Sequence, residues 1–430
     1  MYKKFIIILI MLLFCSVVVF SQKTNLKKQA LKAYGKEHYP EAIQLMKSYV
    51  KENPDDAEGY YYLGFFIHYN AYDSRPMAGY DASVSDTVFK YMKKALNLSP
   101  DYGNARYFYT AECGAAATRA LRGGNDDKVI HYYEKAAEMG GFPAWLTEVG
   151  KIMLESCEDE AILFAHGDVV LNTLWYLQLC QDFRTDVSVI PLVFLSRPWY
   201  VKEVKNGDLF RNVNMNISDE QIMSMHPYKW DTTTIHLSVP KKLKTKYELG
   251  QDYTMDWVVK PDLWSNRTEI KLDVKNIENK TYMSGQRAVL LSIIEANQWK
   301  RPVYFTNTFN NYYLAGLDEY FQEHGVVSKL LPMKTGQTDW HINVKKLEQL
   351  VFKNDFKGFK TVLKKDQPRG SRILNAYYPA FTKLAGYYKE NGKYDKLESL
   401  IDAFREKMMI GYKKKYERKM LESMENMLQE

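Results

Sequence analysis

Between Asn25 and about Gly150, small residues recur at fixed intervals among apolar residues spaced as on one helical face, which leaves few architectures open. Ala30, Ala42 and Pro54 stand 12 and then 12 residues apart. That spacing puts one small residue on each of two helices where their backbones touch, and a proline where the second helix must stop. A second unit opens at Leu63-Gly64 and closes at Ala95 and Pro100. Gly64 and Pro100 are 36 residues apart rather than the 24 of the first unit, so a 12-residue insertion is expected within Tyr69 to Asp86. A third unit passes through Ala117, Val129 and Ala136 with the regular spacing restored. The C-terminal tail repeats the theme at Leu384-Ala385, Leu397, Ile401 and Phe404.

These units resemble tetratricopeptide repeats, helix-turn-helix pairs of about 34 residues. Between the helical ends the texture changes. Ala161-Ile-Leu-Phe-Ala165 is a short apolar run, followed by a helical stretch through Gln181 and a second run, Val187 to Leu195. Run, helix and run predict a βαβ unit with a buried parallel strand pair. A helix over Ser284 to Trp299 then leads into Arg301-Pro-Val-Tyr-Phe-Thr306, expected to be a third strand of the same sheet. Alternating segments at Thr232 to Val239 and Tyr253 to Val259 read as an inserted β-hairpin. The expected fold is mainly α with an α/β domain: tetratricopeptide-like helix pairs flank a small, mostly parallel Rossmann-like sheet. The predicted organisation is a signal peptide at 1–21, helical repeats at 22–150, the α/β domain at 151–340 and a C-terminal helical region at 341–430.

The signal peptide rests on Met1-Tyr2-Lys3-Lys4, an apolar run from Phe5 to Phe20 broken only by Ser16, and then Ser21-Gln22. Sixteen residues, all apolar but Ser16, are short for a span, so cleavage near Ser21 and export to the periplasm or beyond are expected. Phe14 is too bulky before Cys15 for a lipoprotein signal. Cleavage lowers the formal charge from +7 to +5, too modest to point to nucleic acid. No later segment has the roughly 20 apolar residues of a membrane helix. Cleavage leaves Cys113, Cys157 and Cys180, read as core thiols in preference to a Cys157–Cys180 bridge. The 33 tyrosines exceed what a plain helical array needs and suit interfaces.

Ligands of open parallel sheets sit beyond the carboxyl ends of the strands, and His166-Gly167-Asp168 occupies such an end. Asn172, Trp175 and Tyr176 share one helical face by their spacing. With Arg197, Trp199 and Tyr200 after the next strand they form a candidate pocket of aromatic walls and polar tips. Arg301, Tyr304 and Asn307, and then Asn310, Asn311, Tyr312 and Tyr313, form a candidate ligand lip after the third strand. The competing reading makes Gly167 a turn, Asp168 a helix cap, Trp175 core and the asparagines an ordinary turn. Catalytic and metal templates fail. None of the eight histidines forms a His-x-His or His-Glu-x-x-His pair, no two cysteines are close in sequence, and nucleophile-elbow and phosphate-loop patterns are absent. No cofactor is implied. His166 with Asp168 is the one acid/base pair, and two positions apart on a strand end they would face opposite ways.

Five segments carry a further resemblance: Ile162-Leu-Phe-Ala-His-Gly-Asp168, Leu174-Trp-Tyr-Leu-Gln178, Arg184-Thr-Asp-Val187, Pro198-Trp-Tyr200 and Ala296-Asn-Gln-Trp-Lys-Arg-Pro-Val-Tyr-Phe305. From Ala161 to Lys334 the chain is similar to the soluble C-terminal portion of bacterial membrane proteins related to protein O-mannosyltransferases. Those proteins often carry tetratricopeptide repeats. Where such proteins read Asn-Gly-Asp-Asn-Asp, this chain has His166-Gly167-Asp168-Val169-Val170, a loop with one carboxylate fewer. The transmembrane catalytic part has no counterpart here, so the resemblance implies recognition of protein or glycan and no transferase activity. The first expectation is therefore an exported binding or scaffold protein that takes a protein or peptide partner through its helical repeats. The alternatives are an accessory module presenting glycans or acceptor proteins to a membrane glycosyltransferase, and a hydrolase using His166 and Asp168.

Overall fold

The computed structural model describes residues 26–73, 82–100, 102–263, 281–307, 311–336, 338–362, 373–411 and 414–429. The expected signal peptide lies outside them. The chain divides into two compact units, Met1–Gly141 and Phe142–Glu430.

The first unit is helical: α1 at 26–34, α2 (Tyr39–Glu52), α3 (Ala57–Asp73), α4 (Ser85–Leu98), α5 (Ala105–Arg122) and α6 (Asp126–Glu138). From α2 on, each helix packs on the next. The small residues singled out by spacing are the buried ones, with Ala30, Ala42, Ala95 and Ala136 fully buried. Gly64 permits the close approach of α3 to α4, because a Cβ there would lie 3.0 Å from Cε of Met92. Pro54 directly follows the α2 C-cap at Asn53. Asn125 accepts a hydrogen bond from the Lys128 amide at 3.0 Å and so caps α6 after the Gly123-Gly124 turn. The anticipated insertion, Tyr69 to Asp86, spans the end of α3 and the start of α4, and its middle lies outside the described residues.

The second unit opens with α7 (Ala144–Ser156), β1 (Ile162–Ala165), α8 (Asp168–Gln181) and β2 (Ser188–Pro191). The second strand is shorter than expected. It ends at Pro191, and Leu192–Ser196 coil into a 3-10 turn that leads to α9 (Pro198–Asn206). After α10 (Asp219–Met223) come β3 (Tyr228–Lys229), β4 (Thr233–Ser238), α11 (Lys241–Lys246), β5 (Thr254–Val259), β6 (Asp262–Leu263), β7 (Thr281–Met283) and α12 (Gly285–Asn297). β4 and β5 pair antiparallel from Thr233–Val259 to Ser238–Thr254, where the alternating segments predicted a hairpin. β8 (Val303–Thr306) joins the main sheet beside β1, as expected of a third strand.

The main sheet has order β2-β1-β8-β10-β9, with β9 at Phe321–Glu323 and β10 at Val327–Leu330. β1 runs parallel to β2 and β8, while β10 is antiparallel to both β8 and β9. The sheet is therefore mixed rather than mostly parallel. The extra strands are short and polar, so no apolar run announces them in the sequence. Strands β1, β2 and β8 are buried along their whole length, as a sheet covered on both faces requires. α13 (Val344–Glu348), α14 (Tyr378–Glu390), α15 (Tyr394–Lys407) and α16 (Lys414–Gln429) complete the unit, with Leu384, Ala385, Leu397, Ile401 and Phe404 in its core. Cys113 and Cys157 are buried thiols that burial pushes up to about 12, and Cys180 is half-buried and in no disulfide.

Candidate functional site

Gly167 turns the chain from β1 into α8 at φ +89°, a conformation that favours glycine. This turn leaves His166 and Asp168 at the carboxyl end of β1. The His166 amide donates to Thr306 Oγ1 at 3.2 Å, so the end of β8 lies beside them, and the His166 ring is 5.9 Å from that of Tyr313. Burial lowers the imidazole pKa while the Asp168 carboxylate works against it. Asp168 is exposed in the first turn of α8, where a carboxylate is favoured by the helix dipole.

The aromatic residues expected to wall this site are turned to packing. Trp175 is 1% exposed, donates its indole N–H to the Val189 carbonyl at 3.3 Å and stacks on Phe210 at 4.8 Å. Tyr200 is also buried and lies 6.4 Å from Trp175. Tyr176 stacks on Phe142 at 4.2 Å, and Asn172 is buried. Arg197 lies over Phe194 at 5.0 Å, and half-buried Trp199 packs edge-on against Tyr200 at 5.6 Å. Asn310 and the side chains of Asn311 and Tyr312 lie outside the described residues.

Arg301 and Tyr304 do not join His166. Arg301 precedes β8, which runs parallel to β1, and so sits at the opposite end of the sheet. Its guanidinium donates to the carbonyls of Glu160, Asn212 (2.9 Å) and Ala161 (3.0 Å) and to Ser188 Oγ (2.7 Å). Burial, with Arg211 nearby, pulls its pKa down to about 10. Tyr304 stands mid-strand, fully buried, and burial raises its pKa.

Tyr304 introduces a polar cluster that sequence reasoning missed. In register with it across β10 and β9 are Lys329 and then Gln322, all on one face. Lys329 is 8% exposed and forms an ion pair with Glu158 at 2.5 Å. Burial lowers the ammonium pKa, and the Glu158 carboxylate opposes it. His324, 1% exposed, has its Nε2 in hydrogen-bond contact with Gln322 Oε1 at 2.9 Å and packs edge-on to Tyr304 at 5.5 Å. Burial and the charge of Lys329 push its pKa down to about 3. The Tyr304 hydroxyl has no hydrogen-bond partner among the described residues. The signal in the sequence was only Ser328-Lys329 set between Val326-Val327 and Leu330-Leu331, too slight without the pairing of β9 with β10. Among the described residues, no group of three or more His, Cys, Asp or Glu is placed to hold a metal ion. Nor is any helix among them long and apolar enough to cross a membrane.

Nearly all of these side chains fall in a stretch that matches a protein-family model. Residues 146–262 and 254–349 match the family model of TMEM260-associated domain 2. The match runs from α7 through the main sheet to α13 and leaves the N-terminal helices and α14 to α16 outside. It contains the whole segment, Ala161 to Lys334, in which the sequence suggested a relation to O-mannosyltransferase-like proteins, and fits that relation loosely. No curated protein matches the chain.

Proposed function

We propose that the chain is an exported, non-catalytic binding protein that holds a protein or peptide partner on its N-terminal helical unit. The observation that carries this reading is a run of partly exposed aromatic rings along α1 and α3. Tyr34, Tyr62, Phe65 and Tyr69 are each half-buried, and Phe65 packs against Tyr34 at 5.3 Å, Tyr69 at 4.6 Å and Tyr62 at 6.4 Å. Amphipathic rings held rigidly at a surface give contact area at small entropic cost, which is why they dominate binding hot spots. We read α1 to α6 as tetratricopeptide-like pairs, an architecture whose stacked helices offer extended surfaces to extended ligands. The apolar run Phe5–Phe20 supports export. The test is co-purification from envelope extract with the intact chain, the Tyr62→Ala/Phe65→Ala variant and a chain lacking residues 26–141. A partner retained by the variant, or by the deleted chain, defeats the reading.

A second reading is favoured by the family match over residues 146–349. In it the α/β domain, read as Rossmann-like, is an accessory that presents glycans or acceptor proteins to a membrane glycosyltransferase. Trp199 is the residue to vary, because Trp175 is too buried for its loss to report on binding alone. Glycan titration unchanged by Trp199→Ala counts against this reading.

A further inference from the structure

A cleft of about 210 Å³ opens at the amino-terminal edge of the main sheet, walled by Arg211, Asn212, Asn214, Asn297, Lys300 and Arg301. It lies at the opposite end of the strands from His166 and Asp168. Its frame is fixed by hydrogen bonds. Arg301 holds the backbone at Glu160, Ala161 and Asn212, and Ser188 Oγ donates to the Arg211 carbonyl at 2.8 Å. On the other wall the Asn297 side chain donates to the Arg301 carbonyl at 2.8 Å and accepts from its amide at 3.1 Å. That pair locks the turn through Gln298 and Trp299, both at positive φ.

The charges around this frame do not balance. Arg211, Lys300 and Arg301 contribute three cations, and Glu160 answers them most directly, through a 2.8 Å contact with Arg211. The neighbouring Asp186 is already engaged by Arg184 at 2.7 and 2.8 Å. Arg211 is close enough to Arg301 to disfavour its charge, and the carboxylates of Glu160 and Asp186 offset this only in part, since burial and Arg211 still leave the Arg301 pKa lowered. The side chains of Asn212 and Asn214 are exposed at the same mouth, and an amide offers both donors and an acceptor to hydroxyl groups.

We infer that this cleft binds a small hydroxylated anion, a phosphate- or carboxylate-bearing polyol, with Arg211 and Lys300 on its charge and the amides of Asn212 and Asn214 on its hydroxyls. The volume is below the roughly 300–1,000 Å³ of sites for drug-sized ligands, which limits the occupant to about one sugar-sized unit. At least four of the five Arg301 N–H groups are spent on the protein. Arg301 thus supplies field and shape, while Arg211 and Lys300, both exposed, supply the contacts. This inference does not depend on the helical unit or on any partner held there.

Calorimetric titration of the full chain at low salt tests it, with glucose 6-phosphate and gluconate as probes and glucose and inorganic phosphate as controls. The two probes separate a phosphate from a carboxylate as the preferred charge. The expected result is saturable binding of one or both probes, at least tenfold tighter than either control, weakened by salt and reduced at least tenfold in Arg211→Ala/Lys300→Ala. Both substitutions are at exposed side chains, and a thermal melt matching the parent shows that the fold is kept. The proposal is overturned if neither probe saturates, if inorganic phosphate binds as tightly as the probes, or if the folded double variant binds as the parent does.

Discussion

At Arg301 one planar side chain joins four groups from three stretches of chain, and geometry matters there more than charge. Lysine would keep the charge but lacks the fork that reaches the Glu160, Ala161 and Asn212 carbonyls and Ser188 together. Stranding such acceptors costs about 1–3 kcal/mol each when no water replaces the donor, so Arg301→Lys is expected to destabilise the second unit by roughly 2–4 kcal/mol in urea unfolding. His324 sets a pH dependence. It is neutral in the folded protein down to about pH 3, whereas in the unfolded chain it takes a proton near its ordinary value of about 6.5. Its contribution to stability is therefore complete above pH 6.5 and falls as pH drops toward 3, at up to about 1.4 kcal/mol per pH unit. His324→Gln should flatten that part of the stability profile. An unchanged slope would show that other groups set it. Sequence pattern located Trp175 on one face of α8 but not what that face meets, since the i, i+3, i+4 spacing of a pocket wall is also that of a core stripe. Its burial against Phe210 depends on a loop, residues 207–217, whose course no local pattern specifies.

Among the elements, α7 and α8 show how one small residue sets a packing distance. A Cβ at Gly150 would fall 2.9 Å from Leu177 Cδ1 and 3.0 Å from Thr173 Cγ2, both on α8. Gly150→Ala asks those side chains to shift, whereas Gly150→Val pushes a branched group between the helices. Overpacking of this kind costs typically 1–3 kcal/mol, so the valine variant should melt clearly below the alanine one in a thermal scan followed by circular dichroism. Equal melting temperatures would mean that α7 and α8 can move apart freely. The same elements mark how far the sequence could be read. β1 and β8 are buried throughout, α8 is buried along most of its middle, and all three stood out in the sequence as apolar stretches. β2 did not show its end, because Val187 to Leu195 is apolar across both the strand and the 3-10 turn that follows. β9 and β10 carry Gln322, Glu323, Ser328 and Lys329, so only their pairing with each other and with β8 identifies them as strands.

For the molecule as a whole, the helices after residue 372 belong with the sheet rather than forming a region of their own. Tyr388 donates to Glu348 Oε1 at 2.7 Å, and Lys396 pairs with the same carboxylate at 2.8 Å. Lys383 pairs with Glu323 on β9, and Lys407 donates to the carbonyls of Val351 and Phe352 at 3.0 and 2.9 Å. Phe356 packs edge-on against Tyr377 at 4.9 Å, and Tyr377, Phe381 and Leu384 are fully buried. Removing these helices would expose that apolar surface and leave the carboxylates of Glu323 and Glu348 without their lysines. At about 25 cal/mol per Å² of apolar surface, or about 1.5–3 kcal/mol per large side chain, losing several of them from the core is comparable to the roughly 5–15 kcal/mol by which a domain is ordinarily stable. A chain of residues 142–372 is therefore expected to lack a cooperative melt and to be cut rapidly by protease, whereas residues 142–430 should melt in one transition. A truncated chain that melts sharply, at the temperature of the longer one, would show instead that the sheet holds its own core and that the terminal helices are an appendage.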